Sequence, residues 1–320
     1  MILALAGGVG GAKLANGLAQ ILSPDEFMTV VNTGDDFSHL GLSISPDLDT
    51  VMYTLAGRNN SETGWGLAGE TWQVARALER IGAETWFRLG DQDLATHIER
   101  TRRLAQGQTL SEVTDALCRA FGVRHCVVPM TDQVVPTVVH TDEGTLAFQH
   151  YFVRRRCEPR VLGVEFPGQR QAVPAQKFAA ALGDERLRAI IICPSNPYLS
   201  IRPILALPGV LQAIGSRRIP VVAVSPIVGG DALKGPAAKI MRELGYAPSA
   251  AEIAKLYRGI AHAMVIDELD RGLSGEIEAM GLRARVSATV MSSVADQARL
   301  AREVVAFADS ITVQSGSANP

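Results

Sequence analysis

Short apolar runs alternate with amphipathic stretches along most of the chain. Ile2–Ala6, Met28–Val31, Ala189–Cys193, Pro220–Val224 and Ala263–Ile266 are nearly unbroken apolar runs. Their length suits strands buried on both faces. Between them, apolar positions recur at helical spacing, as in Leu14, Leu18 and Ile21 after the first run and Val51, Met52 and Leu55 after the second. The same periodicity predicts helices over about 67–81, from Gly90 through Leu104, over 110–121, 236–244 and 249–258, and a final one over about 294–308. Strands alternating with helices predict an α/β fold with a doubly wound, mostly parallel, Rossmann-like sheet.

The pattern changes in the middle of the chain. Trp86-Phe87 reads as a short strand, and Val127-Val128, 134–141 and 145–152 as further strands, with Asp142-Glu143-Gly144 as a hairpin turn. Arg154-Arg155-Arg156 then follows, either a solvated face or a clamp for an acidic ligand. Residues 131–185 are therefore expected to form a smaller β-containing excursion. The main body would comprise 1–130 and 186–320.

Composition narrows the classes. The 320 residues are 47% hydrophobic and only 5% aromatic, which suits an Ala/Val/Leu-rich core of substantial size. A net charge of −2 offers no basic footprint for nucleic acid and no polybasic membrane patch. The opening MILALAGG lacks a charged leader segment, and no apolar run approaches the roughly 18 residues a membrane span needs. A cytoplasmic protein is expected. Cys118, Cys126, Cys157 and Cys193 show no metal-ligand spacing, and Cys126 and Cys193 sit in apolar runs as inert thiols do.

The chemistry collects at strand ends. The first strand runs directly into Gly7-Gly8-Val9-Gly10-Gly11-Ala12-Lys13, a turn whose glycines let backbone N–H groups approach an anion at a helix start. It matches neither the P-loop, which needs Gly-Lys-Ser/Thr, nor the dinucleotide fingerprint, which needs Gly or Ala where Lys13 stands. A cation there opposes the helix dipole unless an anion is present. The second strand ends in Asn32-Thr33-Gly34-Asp35-Asp36. Asp47 and Asp49 open the next helix, and Asp91, Gln92, Asp93, Thr96 and His97 open another. One acid is explained by one helix cap; acids at three successive loops are not. Carboxylates opposite a phosphate loop are the ingredients of magnesium-assisted phosphoryl transfer. Asp36, Asp47 and Asp49 are the expected metal ligands. The base is sought among Asp36, Asp47, Asp49 and Asp91, since a histidine in a first helical turn is usually structural.

Six runs together carry a resemblance. AGGVGGAK (6–13), NTGDD (32–36), PDLDTVMYTLAG (46–57), GDQDLATH (90–97), PSNPYLSI (194–201) and VSPIVGG (224–230) resemble, in order, the 2-phospho-L-lactate transferase family of coenzyme F-420 biosynthesis. The resemblance implies that a guanosine diphosphate-linked three-carbon acid donates its phospho-acid moiety to the ribityl hydroxyl of 7,8-didemethyl-8-hydroxy-5-deazariboflavin. GMP would leave, with Mg²⁺ required. Asp49, Gln92, Thr96 and His97 would then border the deazaflavin. Gly8, Gly10, Gly11, Lys13, Asn32, Asp35, Ser195, Asn196 and Pro197 would hold the donor, with Asp49, Asp36 and Asp91 as the catalytic acids. A homodimer is expected.

Three stretches depart from the family pattern. Gln92 stands where a basic residue is usual, Thr131-Asp132-Gln133 replaces a more acidic run, and Met291-Ser292-Ser293 replaces Met-Thr-Asp. These departures leave lactate, enolpyruvyl and glycerate donors open, and loss of charge makes a glycerate-type donor a candidate. Two other classes compete. A nicotinamide-dependent oxidoreductase would use Asp35 or Asp36 to hold a ribose, and a non-catalytic nucleotide-binding protein would need no metal. The asparagine substitution Asp49→Asn is expected to abolish transfer and leave the fold intact.

Overall fold

The computed structural model describes residues 1–313. Seven strands form one parallel sheet: β1 Ile2–Ala6, β2 Phe27–Val31, β3 Cys126–Pro129, β4 Ala189–Ile192, β5 Val221–Val224, β6 Ala263–Ile266 and β7 Arg283–Val286. Their order across the sheet is β3-β2-β1-β4-β5-β6-β7, and every neighbouring pair is parallel. The chain thus winds one way from β1 to β3 and the other way from β4 to β7. The reversal falls between β1 and β4, where a crevice opens beyond the strand ends.

Both faces of this sheet are buried, which is why its strands read as apolar runs without alternation. Leu3, Leu5, Val30, Ile190, Ile192, Ala223 and Met264 belong to one side of the core. Ile2, Ala4, Ala6, Ile191, Val222 and Val265 face the other, against Leu14 and Leu18 of α1 (Gly8–Ile21) and Leu300, Ala301 and Val304 near the chain's end. A shift of one residue in any strand would exchange these sets.

Helix α2 (Pro46–Leu55) follows a small hairpin of Phe37–His39 and Leu42–Ile44. Two further helices, α3 (Asp91–Ala105) and α4 (Leu110–Ala120), precede β3. A closing helix, α5 (Val294–Asp309), begins with a reciprocal cap between Ser293 and Asp296. The 131–185 segment contributes a three-stranded antiparallel sheet of Val138–Thr141, Gly144–Ala147 and Val161–Glu165. Its Val139, Tyr151 and Val161 join the same core as Leu3 and Leu5.

Several local expectations need correction. The helix expected from 67 begins only at Gln73, because Gly66 and Gly69 take positive φ and Leu67 bridges Asn59. Trp86-Phe87 is not a strand. The two rings instead pack with Phe37 and His39, and Trp86 stands 4.8 Å from His150. The strand expected over 145–152 stops at Ala147, and the chain tightens into a π-type turn at His150–Arg154. Phe148 and Phe152 stack there at 5.4 Å, a spacing that four extended residues, about 13 Å long, cannot give. The strands Val161–Glu165 and Arg283–Val286 were not anticipated. The second is an edge whose Arg283 and Arg285 lie over the Phe307 ring, so its charged residues hide its periodicity.

Helices α1 and α5 meet at Gly17, where a β-carbon would collide with the backbone carbonyl of Gln297 and crowd Ala301 at 3.2 Å. Gly17→Ala should therefore force the helices apart and destabilise the protein by about 2 kcal/mol despite alanine's better helix propensity. Urea unfolding checks this; a variant as stable as the parent would mean the helices separate freely.

Candidate functional site

The crevice at the sheet's reversal is a cavity of about 730 Å³. It is walled by the turn after β1, the ends of β2 and β4, α2, α3 and the segments around Phe148–Val153, 232–237 and 289–292. What brings the first of these together is a close approach of backbones. Ser195 Oγ accepts from Gly7 N at 3.1 Å and donates to Gly7 O at 2.8 Å. Side chains are excluded at the contact: a β-carbon on Gly10 would strike the Pro194 carbonyl, and one on Gly11 would strike Ser195 Oγ. So Gly11 serves packing and does not line the cavity, whereas Gly8 and Gly10 do.

Helix α1 has no capping side chain of its own. Gly8 N donates instead to Asp47 Oδ1 at 2.6 Å, with Gly8 at a φ of +62°. Asn32 completes the frame. Its amide nitrogen donates to Asp47 Oδ2 at 3.0 Å and to Asp35 Oδ1 at 3.3 Å, while its carbonyl oxygen accepts from Gly34 N. One nitrogen thus holds two carboxylates side by side. Burial, then the charges of Asp47 and Asp36, raise the Asp35 carboxyl well above its usual range. Burial likewise pushes Asp47 up to about 6. Asp36 sits behind them, accepts from Ser45 Oγ at 2.8 Å and leaves its other oxygen buried without a partner. It does not line the cavity. None of these acids faces a lysine or arginine within ion-pair distance among the described residues; Asp36 feels the more distant charge of Arg100, while Asp35 and Asp47 have no compensating cation. Neither Asp35 nor Asp36 hangs free at the end of β2 as a ribose-binding acid would.

The second acid set is compensated. Arg100, fully buried, clamps both oxygens of Asp49, with Nη1 donating to Oδ2 at 3.0 Å. The same Nη1 lies 3.0 Å from His97 Nδ1. Because a guanidinium only donates, Nδ1 accepts and the ring hydrogen sits on Nε2, 3.3 Å from Asp93 Oδ1. Tyr53 OH donates to the same Asp93 oxygen at 2.7 Å. Burial raises Asp93, but His97, Tyr53 and Arg100 outweigh it and hold the carboxyl below its usual range. Nδ1 is engaged by Arg100, whereas Nε2 is buried beside Asp93 without forming a hydrogen bond, so His97 stands between the two acids.

Ligand atoms of Asp49, Asp93 and His97 lie within 4.8 Å of one another. As a magnesium site this trio fits poorly, since it offers a nitrogen ligand and already holds an arginine. The oxygen-only, uncompensated Asp35–Asp47 pair fits better. Of the expected ligands Asp36, Asp47 and Asp49, only Asp47 combines cavity access with unbalanced charge.

Other expected site residues lie elsewhere. Asp91 is a cap, not a cavity residue: it accepts from Gln73 N and Val74 N at 3.0 and 3.1 Å and from the Thr71 hydroxyl. Gln92 is exposed and tied to Gly69 O and Glu70. Thr96 is on the buried face of α3, outside the cavity, and Pro197 opens a short helical turn capped by Asn196. The amide nitrogen of Asn196 itself is a buried donor without a partner on the cavity wall. Lys13 is anchored by a 2.7 Å bond to Met291 O. Gln133, which binds Val173 N, is also remote, so of the three departing stretches only Met291-Ser292 reaches the cavity. Sequence reasoning missed Asp93, Arg100 and Tyr53 as site residues. The available signal was the spacing of Asp93, Thr96, His97 and Arg100, which share one helix face.

The family model for 2-phospho-L-lactate transferase CofD matches residues 2–304. The chain belongs to the 2-phospho-L-lactate transferase family. It is similar to phosphoenolpyruvate transferase of Streptomyces griseus, 42% identical over 97% of this chain and 99% of that protein. It is also similar to 2-phospho-L-lactate transferase of Methanosarcina acetivorans, 37% identical over 97% of this chain and 100% of that protein. A solved structure from the upf0052 family of Bacillus halodurans shares the fold at a TM-score of 0.61, with 14% identity, covering 95% of this chain and 98% of that one. As a family member the protein is a phospho-acid transferase of coenzyme F-420 biosynthesis. No single helix among the described residues is long and apolar enough to cross a membrane.

Two predictions follow from the two acid sets. Asp49→Asn removes the counter-charge of a fully buried arginine, so the expectation of an intact fold is revised: the variant should lose about 3 kcal/mol of stability along with activity. Chemical denaturation decides, and an unchanged midpoint would show that Arg100 is not held by charge. Asp35 and Asp47 act in the opposite sense. Both carboxyls bind protons more tightly in the folded state, so the metal-free stability this contributes is fully present only below the ordinary carboxylate range and is lost as pH rises, for Asp47 through about 6. In chelator, the melting temperature should rise as pH falls from about 7.5 to about 5.5, and Asp35→Asn should flatten that rise while adding about 1 kcal/mol at the upper pH. A melting temperature that falls over this range would contradict the assignment.

Proposed function

We propose that the protein transfers the phospho-acid moiety of a guanosine diphosphate-linked three-carbon acid to the terminal ribityl hydroxyl of 7,8-didemethyl-8-hydroxy-5-deazariboflavin. GMP is released and coenzyme F-420-0 or a variant of it is formed. The observation that carries this proposal is a single cavity joining three chemistries. The glycine turn and Lys13 supply an anion side. Asp35 and Asp47 supply uncompensated oxygen ligands. Phe87, Phe148, Phe152 and Trp65 supply an aromatic wall for a flat ring.

The donor's phosphates lie against the turn after β1, near the α1 amides that follow Gly8 and beside Lys13, with Asn196 on the same wall. Magnesium, held by Asp35 and Asp47, would screen charge on the donor phosphates and the departing GMP. Asp49, fixed on both oxygens by Arg100, accepts a hydrogen bond from the acceptor's hydroxyl and holds it in line with the phosphorus. Tyr53, with His97 packed alongside, fixes Asp93 to orient the remaining ribityl hydroxyls. A homodimer in the cytoplasm is the expected setting.

For the donor's acid we favour the enolpyruvyl form. The relatives named phosphoenolpyruvate transferases include the 42% match, against 37% for the phospho-L-lactate transferase, and Met291-Ser292 offers no new charge to select a glycerate hydroxyl. Selectivity for such a hydroxyl requires a site group left unpaired without it. The test supplies lactyl, enolpyruvyl and glyceryl donors in competition, with Mg²⁺ and the deazaflavin, and weighs the products by mass spectrometry. The enolpyruvyl adduct should dominate. A dominant lactyl or glyceryl adduct overturns the donor assignment, and no phosphodiester from any donor overturns the proposed reaction.

A further inference from the structure

The cavity holds a second lysine that the glycine turn does not supply. Lys234 comes from the loop after β5, and its ammonium donates to the carbonyl oxygen of Thr63 at 3.2 Å. A β-carbon on Gly64 would meet that ammonium at 2.7 Å and the Val9 side chain at 3.2 Å. Three segments far apart in sequence therefore touch at one point on the cavity rim: the turn after β1, the loop carrying Trp65, and the loop carrying Lys234. All three residues, Val9, Trp65 and Lys234, line the cavity.

Neither Lys234 nor Lys13 forms an ion pair with a carboxylate among the described residues. Burial, followed by the charge of Lys234, lowers the Lys13 ammonium from its ordinary range. Two cations close enough to feel one another, neither in an ion pair, are balanced by an anion placed between them. A single phosphate could be met by Lys13 and the turn alone. A second cation at the neighbouring point of the rim adds reach for a longer, doubly charged group.

We propose that Lys234 binds the diphosphate of the nucleotide-linked donor and, through Thr63, ties the Trp65 loop to that diphosphate. This rests on the donor site proposed above. An ammonium has three N–H groups. One is spent on Thr63, leaving two for phosphate oxygens, so the loop contact and the ligand contact coexist. The loop can follow, because Gly64, Gly66 and Gly69 take φ values of +83°, +71° and +70° and set its course with no bulky side chain in the bends. Donor binding thereby fixes Trp65 on the cavity wall, next to where the flat acceptor would lie.

The test titrates GDP and GMP, with Mg²⁺, into the parent protein, Lys234→Met and Lys234→Arg, following melting temperature and tryptophan emission. Trp65→Phe assigns the emission change. The parent should bind GDP with a change in Trp65 emission. Lys234→Met should weaken GDP by about tenfold or more, weaken GMP less, and abolish the emission change, with its ligand-free melting temperature unaltered. Lys234→Arg should recover most of the affinity. Unaltered GDP binding by Lys234→Met overturns the proposal while leaving the donor site standing. Equal loss of GDP and GMP together with a lowered ligand-free melting temperature also overturns it, since that is a structural lysine. A parent protein that binds neither nucleotide overturns the donor site and this proposal with it.

Discussion

The close approach of the turn after β1 to the loop after β4 is the constraint on which the site depends. A doubly wound sheet must reverse somewhere, and the two strands at the reversal send their loops apart, opening a crevice. Here the crevice is kept narrow at its base by Ser195, which both accepts from and donates to the Gly7 backbone. That contact fixes where α1 begins. It also determines which positions must be glycine, since Gly10 and Gly11 have no room for a β-carbon. The glycine richness of the turn is therefore only partly about ligand. Part of it is the steric condition for two backbones to share one end of the sheet, and the open amides at the start of α1 are a consequence of that geometry.

Charge is divided unevenly across the crevice. On one side Arg100 and Tyr53 surround Asp49 and Asp93, with His97 between them, and every acid has a donor. On the other, Asp35 and Asp47 share a single asparagine nitrogen and repel one another. A buried ion pair of the first kind contributes little net stability but gives one fixed geometry. A buried pair of like charges destabilises the fold until a proton or a cation joins it. The division makes one acid set a rigid template and leaves the other in need of a ligand.

Much of the sheet was legible because burial on both faces leaves an unbroken apolar run that no loop imitates. β1, β2, β4, β5 and β6 all read this way. β7 did not, since Arg283 and Arg285 guard an edge and alternate with smaller residues. Within the site, Asp47, Asp49 and the glycine turn were legible from clustering at strand ends. Arg100 was not. A helix face of Asp93, Thr96, His97 and Arg100 looks like a solvated stripe, and only tertiary contact with Asp49 and Tyr53 turns it inward. Asp91 misled for the converse reason: an acid at a helix start suggests chemistry in a chain rich in acids, yet its partners are the amides of the preceding helix, Gln73 and Val74, which the sequence pattern does not place beside it.

The same distinction bears on how substrate preference is encoded. Gln92 and Gln133 are departures in sequence, but the first hangs on the exposed side of α3 and the second braces Val173. Neither can discriminate between donor acids by contact. Met291 and Ser292 do reach the cavity, and Met291 does so while its carbonyl anchors Lys13. A change at 291 or 292 therefore bears on two things together: the cavity wall, and the position of Lys13, which is held by the Met291 carbonyl. Of the three departures read from the sequence, this is the one whose position the fold places on the cavity, and its link to Lys13 runs through a backbone carbonyl that no side-chain pattern reveals.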